Sequence, residues 1–134
     1  MPPVEFREQK LIAELKKLYY VVEGVKAVVI VNIDGLLVSS YPVDDEENPH
    51  ETPTSSPQVA AMSATLVGLA EKTLVRLAQG KLERLLMEAE EGTMVVYPAG
   101  RTAVAVLVEK NANMAHVLFA TKQAAAEIAV ILAG

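Results

Sequence analysis

The chain contains no cysteine, no long apolar run and no excess of basic residues. Without thiols it forms neither disulfides nor thiolate metal sites, which favours a reducing, cytoplasmic compartment. Apolar runs such as Ala103 to Val108 are far too short to cross a bilayer. The first ten residues mix acidic with basic side chains, unlike a signal peptide. We therefore expect a cytoplasmic protein without direct membrane insertion.

The negative charge is concentrated in one segment. Residues 42–57, PVDDEENPHETPTSSP, contain four prolines and five carboxylates, and this composition predicts an acidic, proline-rich loop. The five acids equal the whole imbalance of 17 acidic against 12 basic residues. Because the rest of the chain is neutral overall, the sequence argues against nucleic-acid binding.

The spacing of apolar residues predicts a single domain over residues 1–134 that mixes helices with strands. Leu11, Leu15 and Leu18 recur at helical intervals, and Asp34-Gly35 lies between two apolar runs, as in a β-hairpin. Ser56-Pro57 is a typical helix start, and Asn113 can cap the last helix. We expect helices over residues 4–22, 57–79 and from 113 onward, and strands over 25–33, 36–41, 81–89, 93–98 and 102–109.

These elements predict an α/β protein of the α+β class. The short turns favour antiparallel pairing, and the first strand is apolar on both of its faces. A sheet of that kind needs helices on both sides. The expected fold is a single five-stranded antiparallel sheet between helices, in the order α-β-β-α-β-β-β-α.

The middle helix is apolar around most of its circumference, with Val59, Met62, Leu66, Leu69 and Leu77 on one side. One sheet cannot cover so wide a surface. The strand predicted next is also strongly apolar and would be a hazardous edge if it were bare. We therefore predict a homodimer, with an interface that contains Leu66, Leu69, Leu82, Arg84, Leu85, Leu86 and Met87.

A thin strip of small and polar residues completes the middle helix. It consists of Ala61, Thr65, Gly68, Lys72 and Arg76. Because this strip looks least needed by the sheet, we predict that it binds a partner protein.

Four stretches in this order resemble the roadblock superfamily, which includes the dynein light chain roadblock and bacterial gliding-polarity regulators. The stretches are VKAVVIVNIDGLLVSSYP, MSATLVGLAEKTL, GKLERLLMEAEEGTMVVYPAGRTAVAVLV and NANMAHVLFATKQAAAEIAVIL. The resemblance implies a profilin-like architecture and a dimer joined through the third strand and the middle helix. It also implies that the chain binds a small Ras-like GTPase, as an activator, an exchange-factor component or a scaffold.

No catalytic, cofactor or metal site is predicted. The chain lacks a phosphate-binding loop, because Gly80-Lys81 is followed by leucine, and it lacks the GxSxG motif of hydrolases. The acidic segment with His50 lacks the ligand spacing of a calcium loop. The expected function is therefore a non-catalytic, homodimeric regulator of a small GTPase. Two alternatives stay open: a dimeric scaffold without effect on GTP turnover, and a small-ligand sensor.

Overall fold

The structure, a computed structural model, describes residues 4–42 and 57–133. Its elements have the predicted order: α1 (Val4–Val21), β1 (Val25–Asn32), β2 (Leu37–Tyr41), α2 (Pro57–Arg76), β3 (Leu85–Glu88), β4 (Gly92–Ala99), β5 (Thr102–Glu109) and α3 (Met114–Ala133). Most of the predicted acidic loop, including its carboxylates and His50, falls on residues 43–56, outside the described residues. Pro57 begins α2, as predicted.

The five strands form one antiparallel sheet in the order β2-β1-β5-β4-β3. The predicted class and architecture are therefore confirmed. The Asp34-Gly35 hairpin joins β1 to β2, and Gly35 has the positive φ of 89° that such a turn requires. Within the described part of the chain, β2 and β3 each pair with one strand only, so they are the two edges of the sheet.

Both faces of the sheet are covered, and β1 contributes to each of them. Val28 and Ile30 point into a core shared with α1 and α3, whereas Val29 and Val31 point towards α2. The predicted α1 stripe of Leu11, Leu15, Leu18 and Val22 lies wholly in the first core. The sequence pattern of a strand apolar on both faces therefore did identify a covered interior strand.

Two element boundaries differ from the sequence-based expectation. α2 ends at Arg76 and not near Gln79, because Ala78 (φ 56°) and Gly80 (φ 90°) adopt left-handed backbone conformations. β3 spans four residues, whereas the pattern predicted a strand over 81–89. Residues 81–84 approach the sheet without pairing, and Leu82 packs against the core beneath α2.

α3 is the one helix among the described residues with the length and apolar composition of a membrane span. Its buried side chains pack against the sheet and α1, as in the core helix of a globular domain; they are Val117, Thr121, Ala124, Ala125 and Ile128. The helix begins at a side-chain cap, since the His116 amide donates a hydrogen bond of 3.2 Å to Asn113 Oδ1.

Candidate partner-binding surface

α2 packs on the sheet through its small side chains. Ala60, Ser63 and Val67 are buried against the core that contains Val29 and Val31 of β1. These residues recur at spacings of three and four, so they share one face of the helix. Small side chains let the helix lie close to the sheet, and they leave the larger apolar residues of α2 pointing elsewhere.

Those larger residues form an exposed surface, which we call the α2 apolar face: Met62, Leu66 and Leu69. Their side chains are 64%, 37% and 57% exposed, respectively. A single sheet indeed leaves much of the apolar surface of α2 uncovered. Apolar side chains of this size in one exposed row are typical of a surface that another protein covers.

The β3 edge lies on the same side of the molecule. Leu85 pairs with Val96 and Met87 with Met94, so their side chains project towards the α2 side of the sheet. Leu85 packs there with Leu82 and is half-buried, as is Met87. α2 itself packs mainly over β1, β2 and β5. The β3 end of this sheet face is therefore only partly covered.

The other predicted interface residues divide between the two faces. Leu86 points to the opposite side of the sheet, where it packs against the core beneath α1 and α3. Arg84 precedes β3, is exposed, and borders a cleft with Tyr97 and Pro98. The structure thus brings Leu66, Leu69, Leu82, Leu85 and Met87 to one side, and it places Leu86 and Arg84 elsewhere.

The predicted polar strip on α2 also divides. Thr65, Lys72 and Arg76 are exposed, and Thr65 Oγ1 donates a hydrogen bond of 2.9 Å to the Ala61 carbonyl. Ala61 lies against the β1–β2 turn, so close that a Cβ on Gly35 would be 3.3 Å from its Cα. Gly68 borders a cleft at the end of the sheet.

Two of the five residues of this strip therefore lie beside the ends of the sheet, although Ala61 is exposed and Gly68 is half-buried. Ala61 lies close to Gly35 of the β1–β2 turn, whereas a Cβ added to Gly68 would meet no atom within 4 Å. Thr65, Lys72 and Arg76 remain available to a partner. Hydropathy alone did not separate the two groups, because a small residue in an amphipathic helix is compatible with either side.

Chemically, the side chains of this surface are suited to binding another protein. Among residues 4–42 and 57–133, no three His, Asp or Glu side chains converge as a metal site would require. The exposed groups are thioether, isobutyl, hydroxyl, ammonium and guanidinium side chains. They can form apolar contacts, hydrogen bonds and ion pairs with another protein.

Solved structures share this fold. The Roadblock/LC7 domain from Streptomyces avermitilis has a TM-score of 0.77 at 21% identity, covering 91% of this chain and 97% of that domain. MglB of Myxococcus xanthus has a TM-score of 0.79 at 18% identity, covering 92% and 94%. LokiProfilin2, solved with rabbit actin, has a TM-score of 0.59 at 17% identity, covering 91% and 97%. The architecture is therefore the profilin-like one of roadblock domains.

Two relatives are similar over nearly their whole length. Proteins MJ1340 and MJ0310 of Methanocaldococcus jannaschii are each 29% identical to this chain over an alignment of 122 residues, and the alignment covers 89% of this chain and 94% of each relative. The family model of the Roadblock/LC7 domain matches residues 11–109, from α1 to the end of β5. The chain therefore belongs to the Roadblock/LC7 family.

Proposed function

We propose that this protein is a cytoplasmic, homodimeric adaptor that binds and regulates a small Ras-like GTPase without catalysing a reaction itself. The observation that carries the proposal is the α2 apolar face, which lies exposed on the same side as the free β3 edge. Domains of the roadblock family are generally non-catalytic adaptors or regulators. This chain accordingly offers a binding surface and no phosphate-binding loop.

Dimerisation through β3 would resolve both exposed features together. Two β3 strands related by a two-fold axis pair antiparallel and extend the five-stranded sheet into its partner. The α2 helix of one protomer then lies over the β3 end of the other protomer's sheet, near Leu85 and Met87, which that protomer's own α2 covers only partly. Met62, Leu66 and Leu69 become buried between the two α2 helices. A free edge and an exposed apolar face are both removed by this single contact.

The GTPase would dock on the outer side of the paired α2 helices. Thr65, Lys72 and Arg76 point to solvent there and contribute nothing to the packing of α2 on the sheet. In a two-fold dimer this row occurs twice, so one GTPase placed across the axis contacts both copies. We therefore expect one GTPase per dimer.

Calorimetry with a small GTPase encoded beside this chain, or captured from the same cells, tests the proposal. Thr65→Glu and Lys72→Glu introduce negative charge into the docking row, and each should weaken binding by about tenfold or more if the contact is central. Lys110→Glu, a charge reversal in the turn after β5, is the matched control and should leave the affinity unchanged. Unchanged affinity in both α2 variants contradicts docking at this row.

GTP turnover separates regulation from tethering. The dimer alone should neither bind nor hydrolyse GTP, whereas the GTPase with the dimer should show an altered rate of hydrolysis or of nucleotide exchange. Tight binding with both rates unchanged would identify the protein as a scaffold.

A further inference from the structure

A second apolar groove lies on the opposite side of the sheet, between α1 and α3. The end of α1 lies beside the start of α3, and Leu11 near the start of α1 shares a cleft with Leu132 near the end of α3, so the two helices are antiparallel. The floor of the groove consists of Leu18, Val22, Ala120 and Ala124. Alanine leaves room between the helices, and the groove is open to solvent.

Two large apolar side chains stand exposed on the walls of this groove. Val21 of α1 is 59% exposed and Phe119 of α3 is 62% exposed. Neither side chain contributes to the core beneath the two helices, which Leu18, Val117 and Ala124 fill. An apolar side chain of a bound partner could therefore contact the Phe119 ring at the wall of the groove and the alanine residues on its floor.

The charged groups around the groove are mostly carboxylates. Glu14 and Glu127 border it, with Lys17 as the basic residue. Past His116 the groove continues into a polar cleft that Glu23 and Glu109 border. The path is therefore apolar along the helices and negatively charged at its rim and its end.

We infer that this groove binds a basic amphipathic helix of a partner protein. An apolar stripe at helical spacing would lie against Val21, Phe119 and the alanine floor, and lysine or arginine side chains would meet Glu14 and Glu127. Residues 14–22 of α1 extend over about 12 Å at the rise of an α-helix, which corresponds to about two turns of such a partner. The site lies on the other side of the sheet from α2, so it is independent of the proposed dimer and GTPase contacts.

The same charges argue against the other occupants of an apolar groove. A second copy of this chain, docked groove to groove, would bring carboxylates against carboxylates. An anionic lipid surface would meet the same repulsion, whereas membrane-surface helices are usually rich in lysine and arginine. A positively charged protein helix fits both the apolar and the charged parts of the groove.

Site-specific photo-crosslinking of the full chain in an extract of its own cells tests this inference. A benzophenone amino acid replaces Gln123, which borders the groove, or Ala126, which is exposed and borders a different cleft on the other side of α3. Mass spectrometry then identifies the segment attached at each position. We expect a segment with net positive charge and apolar residues at helical spacing to be captured from position 123 and not from position 126.

The captured segment, synthesised as a peptide, is titrated into the protein by calorimetry. Phe119→Glu and Glu127→Lys should each weaken its binding by about tenfold or more, because one removes the apolar wall and the other reverses the rim charge. Ala126→Glu, on the same helix but beside the other cleft, is the control and should change the affinity less than about twofold. Circular dichroism confirms that each variant is folded.

Several results would overturn the inference. They are the absence of a segment specific to position 123, capture of an acidic segment or of this chain itself, and equal weakening by the control variant. Binding to anionic vesicles that Phe119→Glu abolishes would assign the groove to a lipid surface, and it would equally reject a protein helix as the occupant.

Discussion

Leu69→Ala should weaken the proposed dimer strongly while leaving the protomer folded. The Leu69 side chain is 57% exposed in the protomer, so truncating it removes little of the protomer's own core. Full burial of a leucine side chain contributes about 1.5–3 kcal/mol, and the exposed share corresponds to about 1–1.7 kcal/mol that only the dimer can gain. A two-fold dimer contains the residue twice, so the loss is about 2–3 kcal/mol, or a roughly 30- to 140-fold higher dissociation constant.

Sedimentation equilibrium over a range of concentrations measures this dissociation constant. Val75→Ala is the matched control, because Val75 is 72% exposed on the same helix. It lies six positions further along, which turns it about 120° away from Leu69 around the helix axis. The control should dimerise like the unmodified chain. A dissociation constant unchanged by Leu69→Ala, or raised equally by the control, would show that the α2 apolar face is not the contact surface.

Two further predictions concern the protomer. The hydrogen bond of 2.7 Å between the Tyr20 and Tyr41 hydroxyls, together with burial, raises the pKa of Tyr41 above its usual 10.0. The stability that this hydrogen bond contributes is therefore fully present below pH 10, and it is lost as the pH rises through the pKa of Tyr41 in the folded protein. Tyr20→Phe should lower that pKa, and an unchanged ultraviolet tyrosinate titration would contradict this. Gly24→Ala should reduce the free energy of unfolding by about 1 kcal/mol or more, which lowers the melting temperature by a few degrees. Gly24 has a φ of 93°, and the new Cβ would lie 2.9 Å from the Ala112 Cβ. Gly68→Ala should raise the melting temperature slightly, because Gly68 lies in α2 and the new Cβ would have no atom within 4 Å. Calorimetric melting temperatures that both rise, or both fall, in the two variants would refute this reasoning.

The spacing of apolar residues correctly predicted which face is buried for elements that have one face on the core and the other in solvent. Leu11, Leu15 and Leu18 of α1 are all buried, because that helix has one face on the sheet and the other in solvent. The same reasoning did not say which apolar side of α2 meets the sheet, and in the structure Ser63 is buried and Met62 is exposed. Hydropathy ranks methionine as the core residue. A helix that contacts both its own sheet and a partner has two apolar sides, and only the tertiary structure tells which side the sheet takes.

The extent of β3 was also beyond the reach of the sequence pattern. Leu82 and Leu85 both read as strand residues, but pairing with β4 begins only at Leu85, opposite Val96. The preceding backbone turns towards the core beneath α2, where Leu82 packs. Strand propensity reports how well a residue type fits an extended, half-buried backbone, whereas the length of a strand depends on how far the neighbouring strand lies alongside to pair with it.

The division of α2 into a packed side and a solvent side has a consequence for how such domains diverge. Ala60, Ser63 and Val67 hold the helix on the sheet, and substitutions there are constrained by the close approach of two backbones. Thr65, Lys72 and Arg76 are under no such constraint from the protomer. Selection can therefore change the partner by altering one row of the helix while the fold persists, so duplicated copies within one genome could acquire different partners without passing through an unstable intermediate.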